Sequence, residues 1–151
     1  MKKSVADPEA LSLEAERFAC TLTCGGASGA TLITLSGELG TGKTSFVKAA
    51  AKALGIEEVV NSPTFVLEKI YQLPRKAGHL VSGFARLVHI DAYRLEKGSD
   101  LAALGFDELM QDAQNLVFLE WPEKVLDALP KPAARISIEA LPDGARTISY
   151  G

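Results

Sequence analysis

Apolar residues in this chain recur in two patterns, short continuous runs and helical spacing. Continuous runs at 31–36 (TLITLS), 86–91 (RLVHID) and 116–121 (LVFLEW) predict strands buried in a sheet. Residues 64–73 (TFVLEKIYQL) alternate well enough to predict one more strand. Strands that alternate with helical segments are typical of an α/β fold, here with a mixed sheet.

Helical segments separate these strands. They span residues 12–24, 43–54, 100–110 and 122–129. Ser12 is the predicted N-cap of the first segment, and Gly55 is the predicted residue after the second. Gly105 interrupts the third segment, and Pro122 occupies a first-turn position of the last one, where proline is tolerated.

Turn residues predict two hairpin-like regions. Residues 74–85 contain Pro, Gly and basic residues, which predict a loop or a hairpin tip. Residues 134–141 (ARISIEAL) and 145–150 (ARTISY), joined by PDG at 142–144, predict a closing antiparallel hairpin. The length of 151 residues predicts a single domain, 1–151.

Composition excludes several classes of protein. The net charge of −3 argues against a free-standing nucleic-acid binder, which usually has a basic face. No apolar run approaches the length of a membrane span, and the first residues lack the apolar region of a secretory signal, so we expect a cytoplasmic protein. Cys20 and Cys24 are expected to be reduced thiols packed in or near the core.

The segment GELGTGKT at 37–44 carries the clearest chemistry. It matches the pattern G-x-x-x-x-G-K-[ST] through Gly37, Gly42, Lys43 and Thr44. Glycines let backbone N–H groups turn toward a phosphate, the lysine reaches the β- and γ-phosphates, and the threonine hydroxyl can bind Mg²⁺. Because the loop follows a predicted strand and opens a predicted helix, it is interpreted as a phosphate-binding loop.

Acidic residues end two of the predicted strands. Asp91 ends RLVHID and Glu120 ends LVFLE, and ligands in open α/β sheets collect at the carboxyl ends of strands. Either acid can serve as the Walker B residue, and spacing does not choose between them. His89 is predicted to face the same side as Asp91, as a neighbour of the nucleotide or as a buried histidine. Trp121 either lines the pocket or packs in the core.

Residues 61–65 (NSPTF) form the remaining unusual stretch. Its hydroxyl groups can lie over a γ-phosphate as switch segments do, or the stretch is a plain turn around a proline.

Five segments together resemble the bacterial TsaE (YjeE) family of small P-loop ATPases. In order they are GELGTGKTSF, SPTFVL, HIDAYRL, LGFDE and LEWPEK, and they run from residue 37 to residue 124. The expected fold class is therefore α/β, a P-loop NTPase-like three-layer sandwich with a mixed central sheet and a C-terminal antiparallel hairpin.

The resemblance also implies roles for individual residues. ATP would be bound by Glu38, Leu39, Gly40, Thr41, Gly42, Lys43, Thr44, Ser45, Asp91, Glu123 and Arg146. Mg²⁺ would be held by Thr44 and Glu120, and the catalytic residues would be Lys43, Asp91 and Glu120. The switch-like segment would consist of Ser62, Pro63, Thr64 and Phe65.

The same resemblance implies a function in tRNA modification. The expected protein is an ATPase, slow alone, that acts with a TsaD–TsaB complex in making N6-threonylcarbamoyladenosine and meets tRNA through that complex. One alternative is a small-molecule kinase, although the basic residues after the loop are scattered and form no lid. A GTPase is disfavoured by the lack of an N-K-x-D motif, and a nucleotide-gated adaptor with little turnover is the other alternative.

Overall fold

Within the described residues, a seven-stranded mixed sheet forms the centre of the fold. The structure, a computed structural model, describes residues 1–24, 29–58, 60, 67–76, 79–80 and 82–151. The strands are β1 Lys2–Val5, β2 Thr31–Ser36, β3 Glu68–Gln72, β4 Arg75–Lys76, β5 His79–Leu80, β6 Arg86–Asp91, β7 Asn115–Glu120, β8 Ala134–Ala140 and β9 Arg146–Tyr150. The α-helices are α1 Pro8–Thr21, α2 Lys43–Ala53 and α3 Phe106–Met110, and 3₁₀ helices span Gly98–Leu104, Pro122–Lys124 and Leu126–Ala128.

The strand order places the predicted strands side by side. The sheet runs β1-β9-β8-β2-β7-β6-β3, in which β8, β2, β7 and β6 are parallel neighbours. The pairs β8–β9, β1–β9 and β3–β6 are antiparallel. The expected α/β class, the mixed sheet and the C-terminal hairpin are therefore confirmed.

Helical elements cover both faces of the sheet. On one face, α1 and α2 bury side chains such as Ala15 and Phe46 against the strands. On the other face, Leu101, Phe106 and Val125 from the shorter helices pack over β2, β6 and β7. Among the described residues, no helix combines the length and apolar character needed to cross a bilayer.

The first helix differs from its prediction at both ends. It begins at Pro8, because the side chain of Asp7, five residues before Ser12, accepts a hydrogen bond from Ala10 N (2.8 Å) and caps the helix. It ends at Thr21, so the predicted helix 12–24 is wrong at its end. Cys20 is exposed, which contradicts its expected burial, whereas Cys24 is half-buried and donates from Sγ to Ala113 O (2.9 Å).

Two predicted helices are shorter and tighter than expected. Segment 100–110 divides at Gly105, whose left-handed backbone (φ 71°) separates a 3₁₀ helix from α3. Segment 122–129 is wrong as one α-helix, because Val125 leaves the helical conformation (φ −136°) to bury its side chain. A local feature, Gly105, therefore divides the first segment, whereas tertiary packing of Val125 accompanies the break in the second.

The remaining predictions concern the edges of the sheet. Of the strand predicted at 64–73, residues 68–72 form β3, and residues 64–66 lie outside the described residues. The hairpin alternative within 74–85 is confirmed by the short β4–β5 ladder. Strand β1 was not predicted, because four residues (KKSV) are too short for a clear pattern. It forms by pairing along β9, with Lys3 opposite Ile148.

A buried carboxylate ties β1, α1 and β9 together. Glu14 is 6% exposed and accepts a hydrogen bond from the hydroxyl of Tyr150 (2.7 Å). Its carboxylate also pairs with Lys3 Nζ (3.0 Å) and Arg17 Nη1 (3.4 Å). Burial and the hydrogen bond to Glu14 raise the pKa of the Tyr150 hydroxyl. The hydroxyl therefore remains a donor throughout the neutral range.

Replacing Tyr150 with phenylalanine is expected to lower the free energy of unfolding by about 1–3 kcal/mol, because a buried carboxylate loses a partner. Urea denaturation monitored by circular dichroism measures this change. Tyr93→Phe is the matched control, since Tyr93 is 39% exposed and is expected to unfold as the wild type does. An unchanged midpoint and slope for Tyr150→Phe would contradict the prediction.

Candidate nucleotide-binding site

A cleft of about 320 Å³ opens at the carboxyl ends of β2, β7 and β6. Parallel strands end at the same edge of a sheet, so residues that follow them meet there. The cleft is lined by Leu39, Gly40, Gly42, Lys43, Thr44, Ser45, Asp91, Tyr93, Glu120 and Trp121. The structure thus brings the glycine-rich loop together with both of the strand-ending acids.

Glycines of the loop adopt backbone angles and close contacts that other residues tolerate poorly. Gly37 has φ 152°, and a Cβ atom there would lie 2.4 Å from Ile138 O. Gly42 has φ 110°, and a Cβ atom would lie 2.7 Å from Leu11 Cδ2. The loop therefore requires glycine for both conformation and space, and it leads directly into the N-terminus of α2.

The ammonium group of Lys43 lies inside the curve of the loop. Its Nζ donates hydrogen bonds to Gly37 O (2.6 Å) and Glu38 O (2.9 Å). Lys43 is 4% exposed, and burial lowers the pKa of its ammonium group, while the carboxylates of the cleft, Glu120 foremost, oppose that shift. Its positive charge is therefore poorly hydrated and directed at the loop interior.

Thr44 and Glu120 are in direct contact. Thr44 Oγ1 lies 3.1 Å from Glu120 Oε1 and 3.0 Å from Glu120 Oε2. The contact arises because β7 lies beside β2, with Glu120 opposite Leu35, just before the loop. Hydroxyl and carboxylate oxygens are ligands that Mg²⁺ prefers, so this pair fits that ion.

Magnesium sites usually take part of their shell from substrate phosphates and water. Within the part of the chain that the structure describes, no three acidic, histidine or cysteine side chains are grouped to hold a metal. The Thr44–Glu120 pair therefore offers a partial shell, of the kind that a nucleotide completes.

Asp91 lies next to Glu120 on the neighbouring strand. The two residues are opposite each other in the parallel β6–β7 pair, and Asp91 is 5% exposed. Its Oδ1 accepts a hydrogen bond from Tyr93 N (3.0 Å), which orients the carboxylate at the start of the following turn. Both acids line the cleft, and the hydroxyl of Thr44 lies on Glu120.

His89 is fully buried and contacts a site residue. Its Nε2 lies 2.6 Å from Glu120 Oε2. The prediction that it faces the same side as Asp91 is confirmed, because both lie near Glu120 on one face of β6 and β7.

Trp121 combines the two interpretations of its role, lining the cleft and packing against the core. Its backbone is left-handed (φ 62°), a strained conformation for a bulky residue. The ring centroid lies 4.3 Å from Lys43 Nζ and 4.9 Å from the ring centroid of Tyr93. Tyr93 also lines the cleft, and the sequence prediction missed it, although it lies two residues after Asp91 in the HIDAYRL segment.

Two other residues that are predicted to bind ATP, Arg146 and Glu123, do not line the cleft. The Arg146 guanidinium donates to Thr41 O (3.0 Å) and Gly40 O (3.4 Å), so it supports the loop backbone. Glu123 Oε2 accepts from Ser36 Oγ at 3.5 Å. Contact with a nucleotide stays a prediction for all of the predicted residues, including Thr41, Glu38, Glu123 and Arg146, which do not line the cleft. The switch-like residues Ser62, Pro63, Thr64 and Phe65 lie outside the described residues.

Comparisons with known proteins relate most of this chain to one family. Residues 5–148 match the model of the family described as Threonylcarbamoyl adenosine biosynthesis protein TsaE. The tRNA threonylcarbamoyladenosine biosynthesis protein TsaE of Bacillus subtilis (strain 168) is 36% identical over 129 residues, which cover 85% of this chain and 74% of that protein. The protein of the same name from Treponema pallidum (strain Nichols) is 36% identical over 118 residues, covering 78% and 79%. The crystal structure of Bacillus subtilis YdiB has a TM-score of 0.75 and 29% identity, covering 99% of this chain and 83% of that one.

Proposed function

Because the chain belongs to the TsaE family, we propose that it binds ATP with Mg²⁺ and hydrolyses ATP in the cytoplasm to support threonylcarbamoyladenosine formation in tRNA. The part of the proposal that concerns tRNA modification rests on the names of the relatives. The observation that carries the ATPase proposal is the placement of the glycine-rich loop beside the Thr44–Glu120 pair in one cleft. A phosphate-binding loop and a metal-binding pair are two of the parts that nucleotide hydrolysis needs.

The loop is proposed to hold the phosphates of ATP. Backbone N–H groups of the loop and the N-terminus of α2 carry partial positive charge, which favours an anion. Lys43 adds a full charge next to them and exchanges its two carbonyl contacts for phosphate oxygens. Arg146 stays on the loop carbonyls and keeps the loop in shape.

Thr44 and Glu120 are proposed to hold Mg²⁺ against the phosphates. When bound, the ion neutralises charge on the transferred phosphoryl group. Glu120 offers a carboxylate that is 2% exposed, and Thr44 offers a hydroxyl at the start of α2. Asp91, on the next strand, is proposed to orient the attacking water.

Replacing Asp91 with asparagine is expected to slow ATP hydrolysis by about 100-fold or more, as loss of a proton-accepting group does. The dissociation constant for ATP should change much less, because asparagine keeps the size of the side chain and its acceptor for Tyr93 N. Steady-state hydrolysis and isothermal titration calorimetry measure the two quantities. Asp107→Asn, at an exposed position on α3, is the control. Equal losses in hydrolysis and binding would instead assign Asp91 to ground-state binding.

The proposed partner is a TsaD–TsaB complex. An acidic chain with a net charge of −3 is poorly suited to bind tRNA alone, so contact with tRNA through partners is the simpler arrangement. Slow hydrolysis alone and faster hydrolysis with the partners is the expected behaviour.

Measuring ATP hydrolysis with and without TsaD–TsaB tests the proposal. Stimulation by the complex, together with threonylcarbamoyladenosine formation that depends on this chain, would support it. The alternative of a small-molecule kinase is tested in parallel by offering nucleosides and nucleotides as acceptors. Phosphoryl transfer to one of them well above the rate of hydrolysis would overturn the proposed function.

A further inference from the structure

We infer that His89 is a positioning residue that orients the carboxylate of Glu120 for Mg²⁺, an inference that rests on the proposed magnesium role of Glu120. His89 does not line the cleft and is fully buried. Among the described residues, its hydrogen-bonding contact with the site is with Glu120.

The sheet register holds the two side chains together. In the parallel β6–β7 pair, His89 is opposite Phe118 and Asp91 is opposite Glu120. Side chains alternate between the faces of a strand, so His89, Asp91, Phe118 and Glu120 all lie on one face. This arrangement brings His89 Nε2 to 2.6 Å from Glu120 Oε2. The contact thus depends on the register of two adjacent strands at the centre of the sheet.

The hydrogen-bonding partners assign the hydrogen to Nε2. An ionised carboxylate can only accept, so the short contact requires a hydrogen on Nε2. Nδ1 is buried and has no hydrogen-bond partner among the described residues. A bare Nδ1 lone pair there costs less than a buried, unpaired N–H group. The geometry therefore assigns a hydrogen to Nε2, which donates to Glu120.

A hydrogen bond to one carboxylate oxygen of Glu120 matters because the last torsion of a glutamate side chain rotates easily. Rotation about that bond is broad, so an unheld carboxylate samples many orientations. His89 holds Oε2 from inside the protein, while Thr44 approaches the same carboxylate from the cleft side. Fixing Oε2 therefore fixes the orientation of the whole carboxylate, whose two oxygens lie 3.1 and 3.0 Å from the Thr44 hydroxyl. Partners behind a metal ligand typically change metal affinity by about 10- to 100-fold.

The test compares a variant that keeps the donor with one that removes it. The amide nitrogen of His89→Gln can replace Nε2, whereas His89→Leu fills the space without a donor. Mn²⁺ binding to the protein–ATP complex is measured by electron paramagnetic resonance, and Mg²⁺-free ATP binding is measured by calorimetry in EDTA. We expect His89→Leu to weaken Mn²⁺ binding by about 10-fold or more and to leave Mg²⁺-free ATP binding unchanged. We expect His89→Gln to recover most of the metal affinity.

Two controls separate positioning from a general loss of structure. Thr34→Val removes another buried polar group from the sheet, on the opposite face of β2, and should leave Mn²⁺ affinity unchanged. In a Glu120→Gln background, His89→Leu should cause no further loss of metal affinity, because the histidine acts only through Glu120. If His89→Leu does not fold, His89→Asn replaces it, since its amide is too short to reach Oε2.

The outcomes distinguish this inference from the proposed function. A folded variant without the donor that binds Mn²⁺ as the wild type does would overturn the role of His89 alone. Additive losses in the Glu120→Gln background would also overturn it. Nucleotide binding by the wild type that is indifferent to divalent cations would overturn the magnesium role of Glu120 and, with it, this inference.

Discussion

Replacing Lys43 with alanine is expected to weaken ATP binding by roughly 10- to 100-fold, the usual range for one hydrogen-bonded charge. Lys43 provides a full positive charge next to the backbone dipoles of the loop and of the N-terminus of α2. Burial lowers the pKa of the Lys43 ammonium group, and it also leaves few water contacts to break when that group binds a phosphate. Hydrolysis stimulated by the partner complex should fall by at least the same factor, because the lysine also stabilises the negative charge that develops on the transferred phosphoryl group.

Calorimetry with ATP and steady-state hydrolysis with TsaD–TsaB measure these two losses. Lys48→Ala is the matched control, because Lys48 lies on the same helix with its side chain exposed. It should bind ATP as the wild type does. ATP affinity in Lys43→Ala equal to that of the wild type would place the phosphates elsewhere.

Replacing Glu120 with glutamine is expected to reduce stimulated hydrolysis by about 100- to 1,000-fold, as loss of a preorganised charged group at a reacting centre does. Glutamine keeps the length of the side chain and an oxygen that can accept from Thr44 or His89. It removes the charge that draws Mg²⁺ to this point. The amount of Mg²⁺ needed for half-maximal activity should therefore rise.

The same substitution should not weaken metal-free ATP binding, which is measured in EDTA. Glu120 is a negative charge beside the predicted phosphate position, so its removal is expected to leave metal-free ATP binding unchanged or tighter. Glu139→Gln, an exposed position on β8, is the control for the loss of one charge. Loss of metal-free ATP binding, with an unchanged Mg²⁺ requirement, would show that Glu120 is not the metal ligand.

The central strands were predictable because of where they lie. Parallel strands buried on both faces form nearly continuous apolar runs, and β2, β6 and β7 have such runs. Their predicted bounds differ from the structure by at most one residue at either end. The loop after β2 was equally predictable from the sequence, because its positive φ angles are a local backbone requirement that glycine meets.

Predictions failed where distant parts of the chain determine the local structure. Strand β1 exists only through its pairing with β9. Cys20 is exposed because α1 buries Leu11, Ala15 and Ala19, which lie on another face of the helix. Residues 122–128 form two 3₁₀ helices in place of one α-helix, and Val125 is buried between them. None of these contacts leaves a periodic signal in the residues concerned.

The choice between Asp91 and Glu120 shows where sequence reasoning ends. Both acids follow buried strands, and the spacing along the chain treats them alike. The contact with Thr44 depends on which strand lies beside β2, and that neighbour is β7. Strand β6 lies one position farther away, about 4.8 Å in a typical sheet. The motif determines that a phosphate-binding loop is present, whereas the order of strands assigns the partner of Thr44, because the order depends on packing between segments far apart in the chain.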